Sequence, residues 1–506
     1  MMRIAVVRAA CLFGVVAMGI GAAGCAGRAS PAHGELRRVT ALEGEITHLQ
    51  SEAALLTDVS DIKRLQRAYG YYLDAAEWDQ MADLFADNGS IEIGLDGVYA
   101  SKKRIREYLY ALGGGREGLR PGELNTHMQL QPVIDVAPDG LTAKGRWRAF
   151  IMDGTYHKTA LWGEGTYENE YVKVNGVWKI EKLHWYQTFM VPYAGGWARN
   201  RDVNGGIYVS KQLPPDAPPT ERYATWPGVY IPPYHYANPA SRLDAGAGAG
   251  TGPTAAGGGA SAADRMSAVS NRATAAADRT SAASDPILAD LQARVDRVAR
   301  RIERLRDHDQ IDNLISMYGY YLDKREWDSL ADLFTADGSM EISLRGIYIG
   351  RPSIRRALVL FGPLHISRGY LHNHLQLSPV IRISADGTHA WSRSRALSEL
   401  ATYGRVGVWG DGIYANEYVK VDGVWKIAKD HIYTAFFATY ARGWEFAVSG
   451  APRASAQIPP DRPPSVLYET YPGEYVPPFD YPHPVTGAAI EIPPGLRVKP
   501  NPAARP

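Results

Sequence analysis

The chain has 506 residues, 45% of them hydrophobic, and its 55 basic and 54 acidic side chains leave a net charge of +1. That balance excludes the strong positive footprint of a nucleic-acid-binding surface. The two cysteines, Cys11 and Cys25, both lie near the N-terminus, so stability must come from packing and not from internal disulfides.

Residues 1–25 read as a leader. Arg3 and Arg8 precede an apolar, small-residue run at 9–23, which ends in Gly24-Cys25. This is the basic, apolar and small-residue order of a secretory signal. The stretch AAGC resembles the lipobox of bacterial lipoproteins, in which the cysteine becomes the lipidated N-terminus. The resemblance implies export to the bacterial cell envelope and attachment to the membrane through a lipid on Cys25. An ordinary signal peptide or a short anchor is the alternative, and the run is short of the ~20 residues a spanning helix needs.

The rest of the chain is one unit written twice. YGYYLD occurs at 69–74 and at 318–323, NTHMQLQPVI (125–134) matches HNHLQLSPVI (372–381), and LWGEGTYENEYVKVNGVWKI (161–180) matches VWGDGIYANEYVKVDGVWKI (408–427). The first repeat covers 40–240 and the second 286–490, each with a Pro/aromatic tail. Between them 241–285 is rich in Ala, Gly and Ser, the composition of a flexible linker. Such a linker lets the repeats pack on each other as an internal pseudo-dimer, and a homo-oligomer is the other arrangement open to them.

Each repeat shows the same predicted elements. An amphipathic helix comes first; in the second repeat Leu291, Val295, Val298, Ile302 and Leu305 have the spacing of a coiled-coil-like seam. A second helix at 61–75 or 310–324 ends in YGYYLD, and a short helix begins at Trp78 or Trp327. A hairpin-like SIEIGLDGVYA and a helix at 101–111 follow. Four strands are predicted at 125–137, 141–153, 158–174 and 177–190. Asn175-Gly176 and Asp422-Gly423 predict tight type I′ turns between the last two. Helices followed by a long antiparallel meander mean an α+β fold.

Polar residues recur at matching places. Tyr69 and Asp74 frame the first aromatic stretch, Tyr318 and Asp323 the second. Strand alternation puts His127, Gln129 and Gln131 on one face, and His372, His374, Gln376 and Ser378 on one face in the second repeat. Such a face lines a cavity or meets solvent. His184 and His431 match, beside Tyr186 and Tyr433, and are open to the same two readings. Glu164 and Asp411 sit between glycines, which suits a strand bulge. Arg146 and Arg148 match Arg393 and Arg395. No Cys/His metal spacing, phosphate loop or nucleophile elbow is present, although His372 and His374 could share a metal.

These pieces in this order, YxxxLDxxxWDxLxxLF, then TH or NH before PVI, then GxYxxEYVKxxGVWKI, resemble the SnoaL-like domain of the nuclear transport factor 2 superfamily, twice. The resemblance implies two tandem cone-shaped α+β barrels, each a curved antiparallel sheet wrapped around helices with a pocket at its open end. Relatives include scytalone dehydratase and a bile-acid dehydratase. By that resemblance Asp74, His127 and Tyr69, and Asp323, His374 and Tyr318, are the catalytic sets of a cofactor-independent, metal-free elimination. Glu164, Asp411, Arg148, Arg395, His184 and His431 are the substrate-binding residues to look for. The ligand would be a hydrophobic small molecule. A non-catalytic envelope lipoprotein that binds a ligand or a partner protein is the alternative, since many members of this fold have no activity.

Overall fold

The computed structural model describes residues 31–209, 211–239, 286–446, 448–473, 475–482 and 488–504. The expected leader with Cys25 and the expected linker at 241–285 lie outside the described residues. By its contacts the chain divides after His48, and Leu49–Pro506 forms one compact unit that holds both repeats.

The first repeat runs α1 (Pro31–Ala75), α2 (Trp78–Asp83), β1 (Phe85–Ile93), β2 (Val98–Ala100), α3 (Lys102–Leu112), β3 (Glu123–Val136), β4 (Thr142–Thr155), β5 (Thr159–Val174), β6 (Val177–Pro192) and the single turn α4 (Gly196–Arg199). The second runs α5 (Pro286–Lys324), α6 (Trp327–Asp332), β7 (Phe334–Ile342), β8 (Ile347–Ile349), α7 (Arg351–Leu358), β9 (Tyr370–Ile383), β10 (His389–Thr402), β11 (Val406–Val421), β12 (Val424–Thr439) and α8 (Gly443–Phe446). Each repeat is an α+β cone, with strand order β2-β1-β6-β5-β4-β3 in the first sheet and β8-β7-β12-β11-β10-β9 in the second. One parallel pair, β1 with β6 and β7 with β12, interrupts the antiparallel meander.

Local chemistry accounts for the elements. The two helices expected in each repeat are one, because neither 45–69 nor 287–318 contains a proline or glycine to break them. Of the residues of the expected coiled-coil-like seam, Val295 is buried and Ile302 half-buried, while Leu291, Val298 and Leu305 stay exposed. Asn175 and Gly176, like Asp422 and Gly423, have positive φ, as a type I′ turn requires. Asp58 accepts the Trp178 indole N–H at 2.9 Å, and Asp307 accepts that of Trp425 at 3.0 Å. This bond fastens each long helix to the β5–β6 or β11–β12 turn and explains the tryptophan of both GVWKI stretches.

Strand alternation holds less well. Gln131 and Ser378 have positive φ (51° and 50°). The β3–β4 register shifts between Leu130 and Val133, and the β9–β10 register shifts near the same place. The bulge takes Gln131 off the face of His127 and Gln129. Gln129 instead bonds Gln66 inside the cone at 2.8 Å. The glycine-flanked Glu164 and Asp411 do sit at register shifts between β5 and β6 and between β11 and β12.

The two repeats meet over an apolar seam of Phe150, Phe189, Trp197, Trp226, Leu371, Leu375 and Trp409. The Trp162 indole donates to the Tyr440 hydroxyl at 2.6 Å, and Lys63 pairs with Asp309 and Asp312 at 2.9 and 3.0 Å. At the centre lies Arg148. It donates to Glu164 at 2.9 Å and to Asp323 of the other repeat, and all three side chains are fully buried. Its guanidinium lies 5.2 Å from the ring of Tyr320, while Arg146 is held by Glu168 and the rings of Tyr234 and Tyr320. A buried pair broken by losing one partner leaves an uncompensated charge. Arg148→Ala is therefore expected to cost about 3–5 kcal/mol of stability, seen as a lower urea midpoint. The matching Arg395→Ala, at a half-exposed pair with Asp411, is expected to change it by no more than about 1 kcal/mol.

Candidate functional site

The cone of the first repeat encloses a cavity of about 380 Å³. This is in the range of small-molecule pockets. Its walls are mostly apolar: Leu73, Trp78, Met81, Ile91, Tyr108, Ile151, Trp185 and Met190. Tyr69, Asn125, His127, Asp153 and Glu123 supply the polar points.

Each polar group is placed by an element. Tyr69 hangs from the buried face of α1, its ring edge-on to Tyr167 at 5.9 Å. Burial pushes its hydroxyl well above the ordinary tyrosine value, so it stays a neutral donor. Asp74 ends the same helix. Its Oδ1 accepts the backbone N–H of His127 at 2.6 Å and stands 3.7 Å from His127 Nδ1, too far for a hydrogen bond. His127 Nδ1 is buried without a hydrogen-bond partner. Opposite, Asp153 on β4 pairs in register with Asn125 on β3. Burial raises the Asp153 carboxyl, against the opposing pull of the neighbouring His127.

Asp153 was not among the expected residues. Its signal was available: it alternates with Ile151 on β4 and so shares the cavity face, but the second repeat has Leu400 there and the comparison of repeats hid it.

The second repeat repeats the frame with other partners. Asp323 Oδ1 accepts the His374 backbone N–H at 2.6 Å and lies 3.8 Å from His374 Nδ1. Its other oxygen is held by Arg148. Tyr318 donates to Asp430 at 3.1 Å, where the first repeat has Leu183. Burial pushes the Asp430 carboxyl up to about 7. Larger side chains replace small ones. Arg325 stands for Ala76 and lies over Tyr370, and His372 stands for Asn125 and packs against Trp327, Phe361 and His374. His372 donates through Nδ1 to the Leu322 carbonyl at 3.1 Å. Among the described residues no group of three or more metal-ligating side chains comes together.

The other expected binding residues go elsewhere. His184 and His431 lie outside the cone, beneath the tails. His184 stacks on Tyr186 at 3.8 Å and faces Glu92 at 3.6 Å, and Glu92 in turn accepts from Thr220 of the tail. His431 does the same with Tyr433, Glu341 and Ser465. Burial drives both imidazoles down to about 3, so they are neutral. Glu164 and Arg148 sit at the contact between repeats, and Asp411 and Arg395 pair with each other at 2.7 Å on the second sheet.

The SnoaL-like domain family matches residues 54–184 and again 303–431. No curated protein matches the chain. Solved structures similar to it include a candidate scytalone dehydratase from Novosphingobium aromaticivorans, at 20% identity over 28% of this chain and 89% of its own, with a TM-score of 0.24. A protein of unknown function from Mycobacterium tuberculosis is 21% identical over 27% and 74%, with a TM-score of 0.23. A nuclear-transport-factor-2-like protein with a cystatin-like fold, also from Novosphingobium aromaticivorans, is 19% identical over 27% and 87%, with a TM-score of 0.24.

Charge at the contact between repeats sets a pH dependence. Arg148 and buried Lys324 face Glu164 and Asp323, so a third carboxylate is uncompensated. Burial, and after it the neighbouring Glu164 carboxylate, pushes Glu399 up to about 8 from 4.5, against the opposing hydrogen bond from Asn373. Between those values the folded state holds a proton that the unfolded chain has lost, so stability falls as pH rises from about 4.5 to about 8. Glu399→Gln is expected to flatten that fall. Its melting temperature should gain on the parent more at pH 8 than at pH 5.

Proposed function

Because this chain belongs to the SnoaL-like domain family in two tandem repeats, we propose that its first repeat is a small-molecule site and its second a scaffold that completes the molecule. The observation that carries this reading is the cavity of about 380 Å³ beside Tyr69, His127 and Asp153. The matching Asp323 is occupied by Arg148. The ligand class is a largely apolar, ring-bearing molecule with one or two polar oxygens, which suits apolar walls with a few polar points.

The chemistry these groups support is elimination. His127 takes a proton from carbon, the C–H electron pair becomes a C=C bond, and the adjacent C–O bond breaks. Asp153, whose hold on a proton burial strengthens, gives that proton to the departing oxygen, which leaves as water. The imidazolium then returns a proton to Asp153 and the site is restored. Asp74 fixes the His127 main chain and places a carboxylate near the imidazolium. Tyr69 offers a neutral hydroxyl to a substrate oxygen. The step needs no cofactor.

Binding without turnover is the second reading. It is favoured by one distance, the 3.7 Å between Asp74 and His127 Nδ1, with Oδ1 already spent on a backbone N–H. Both readings place the protein in the cell envelope on the strength of residues 1–25 alone. Replacement of Cys25 by Ser is expected to abolish incorporation of labelled palmitate and release the chain from the membrane fraction.

Turnover of hydroxylated polycyclic compounds, followed by alkene absorbance, tests the site. His127→Asn is expected to lower kcat about 10²–10⁴-fold. Asp153→Asn is expected to remove the proton donor and with it the alkaline limb of the rate profile. His374→Asn in the second repeat should leave the rate within about twofold. Activity that survives His127→Asn ends the elimination reading. A ligand bound at one per chain with no turnover in the parent protein would establish the binding reading instead.

A further inference from the structure

The N-terminal half of α5 carries a surface that neither the cores nor the cavity use. Leu291, Val298 and Leu305 recur at every seventh residue and so share one stripe of the helix. They are 41%, 51% and 56% exposed, while Val295 beside them is buried. Arg294 and Arg301 lie next to this stripe, and Arg297, Arg300 and Arg304 continue the exposed side beyond them; all five are exposed. Asp290 is the exposed acid of that side, whereas Glu303 lies on the other and faces Lys420 at 3.6 Å. Leu305 ends the stripe at a groove of about 850 Å³ lined by both long helices, which it shares with Arg67 and the exposed Tyr71.

The fold does not require this charge. The matching positions of α1 are Glu45, His48, Ser51, Glu52 and Leu55, and α1 is fastened to its own sheet by the same Asp–Trp bond as α5. Nor does the chain neutralise it. Among the described residues Arg294, Arg297, Arg300 and Arg301 form no ion pair, and Arg304 donates to the Ala385 carbonyl.

We propose that this face of α5 docks on an anionic lipid bilayer, with the helix lying along the surface. An aliphatic stripe flanked by arginines is the pattern of an interfacial helix. The stripe enters the boundary of the acyl chains, and the guanidinium groups reach the phosphates on their alkyl stems. Three aliphatic side chains in line on one convex helix are a narrow contact for a folded partner, but a fluid surface closes around them without a matching pocket. A second copy of the chain is disfavoured by charge, since pairing along the stripe sets Arg294 and Arg301 against their own counterparts. Among the described residues no helix is long and apolar enough to cross a membrane, so α5 meets the bilayer from outside. This contact is independent of a lipid on Cys25.

Co-sedimentation with vesicles tests the proposal. The probes are an equimolar mixture of phosphatidylglycerol and phosphatidylcholine, and phosphatidylcholine alone as the reference. The full chain carries Cys25→Ser, so that no lipid on the protein contributes. An arginine near an anionic surface is worth about fivefold in binding. The Cys25→Ser parent is therefore expected to bind the mixed vesicles at least about 100-fold more tightly than the neutral ones, and Arg294→Gln/Arg297→Gln/Arg301→Gln to lose about 100-fold. Val298→Asp/Leu305→Asp, with every arginine intact, is expected to lose at least about tenfold, because the stripe no longer enters the bilayer. Equal binding of the parent to both vesicles overturns the proposal. So does a preference for phosphatidylglycerol that the triple arginine variant keeps, or binding that the stripe variant leaves unchanged. Poly-glutamate bound by the parent and released by the triple variant, with no gain on mixed vesicles, would make the partner an acidic protein and overturn the bilayer. Unchanged far-UV circular dichroism of each variant separates these outcomes from misfolding.

Discussion

A guanidinium taken out of water must be neutralised where it lies, and the neutralising groups of Arg148 come from both repeats. Glu164 answers from its own sheet and Asp323 from the helix end of the other repeat. Desolvating such a charge is costly, so the pair is worth more as a specification than as a source of stability. It fixes which face of the first sheet meets which end of the second helix. The Tyr320 and Tyr234 rings stack around the arginines, and Lys324 and Glu399 complete the local charge balance. Helix α5 is consequently buried on nearly every side from Ile311 to Lys324, whereas α1 keeps an open outer face at Arg64, Arg67 and Tyr71.

That constraint makes the two repeats differ inside. The cone of the first holds a cavity of about 380 Å³. The second spends its acid on Arg148, its tyrosine on Asp430 and its cone volume on Arg325 and His372. Its Asp-His geometry is nevertheless almost the same as in the first, 3.8 Å against 3.7 Å. The same backbone frame therefore lines a cavity in one repeat and carries the larger Arg325 and His372 side chains in the other.

Much of the fold was legible because local rules dominate it. Type I′ turns at Asn175-Gly176 and Asp422-Gly423, the alternating strands and the repeat itself follow from short-range pattern, and strand limits at 125–137 and 141–153 fall within two residues of those observed. The bulges at Gln131 and Ser378 were not legible, because positive φ at a glutamine or a serine has no short-range signal. Nor was the burial of His184 and His431, which depends on where a proline-rich tail lies down. Tyr69 and His127 could be placed in a pocket from their motif. Asp153 could not, since matching the repeats against each other favours what both retain. Arg148 read as a pocket residue because its true partner lies 175 positions away.

The burial of the end of α5 against the first sheet also gives the order of the repeats a meaning during synthesis. A ribosome delivers the first repeat complete before α5 exists, and domains tend to fold as they emerge. The first sheet, with Arg146 and Arg148 already aligned and Tyr234 close behind, can then receive α5 as it leaves the exit tunnel. Exchanging the two repeats along the chain would reverse this. The apolar end of α5, from Ile311 to Leu322 with Tyr320 and Tyr321, would emerge first and wait, uncovered, for the face that shelters it. The position of a repeat along the chain is thus part of what keeps its helix from aggregating.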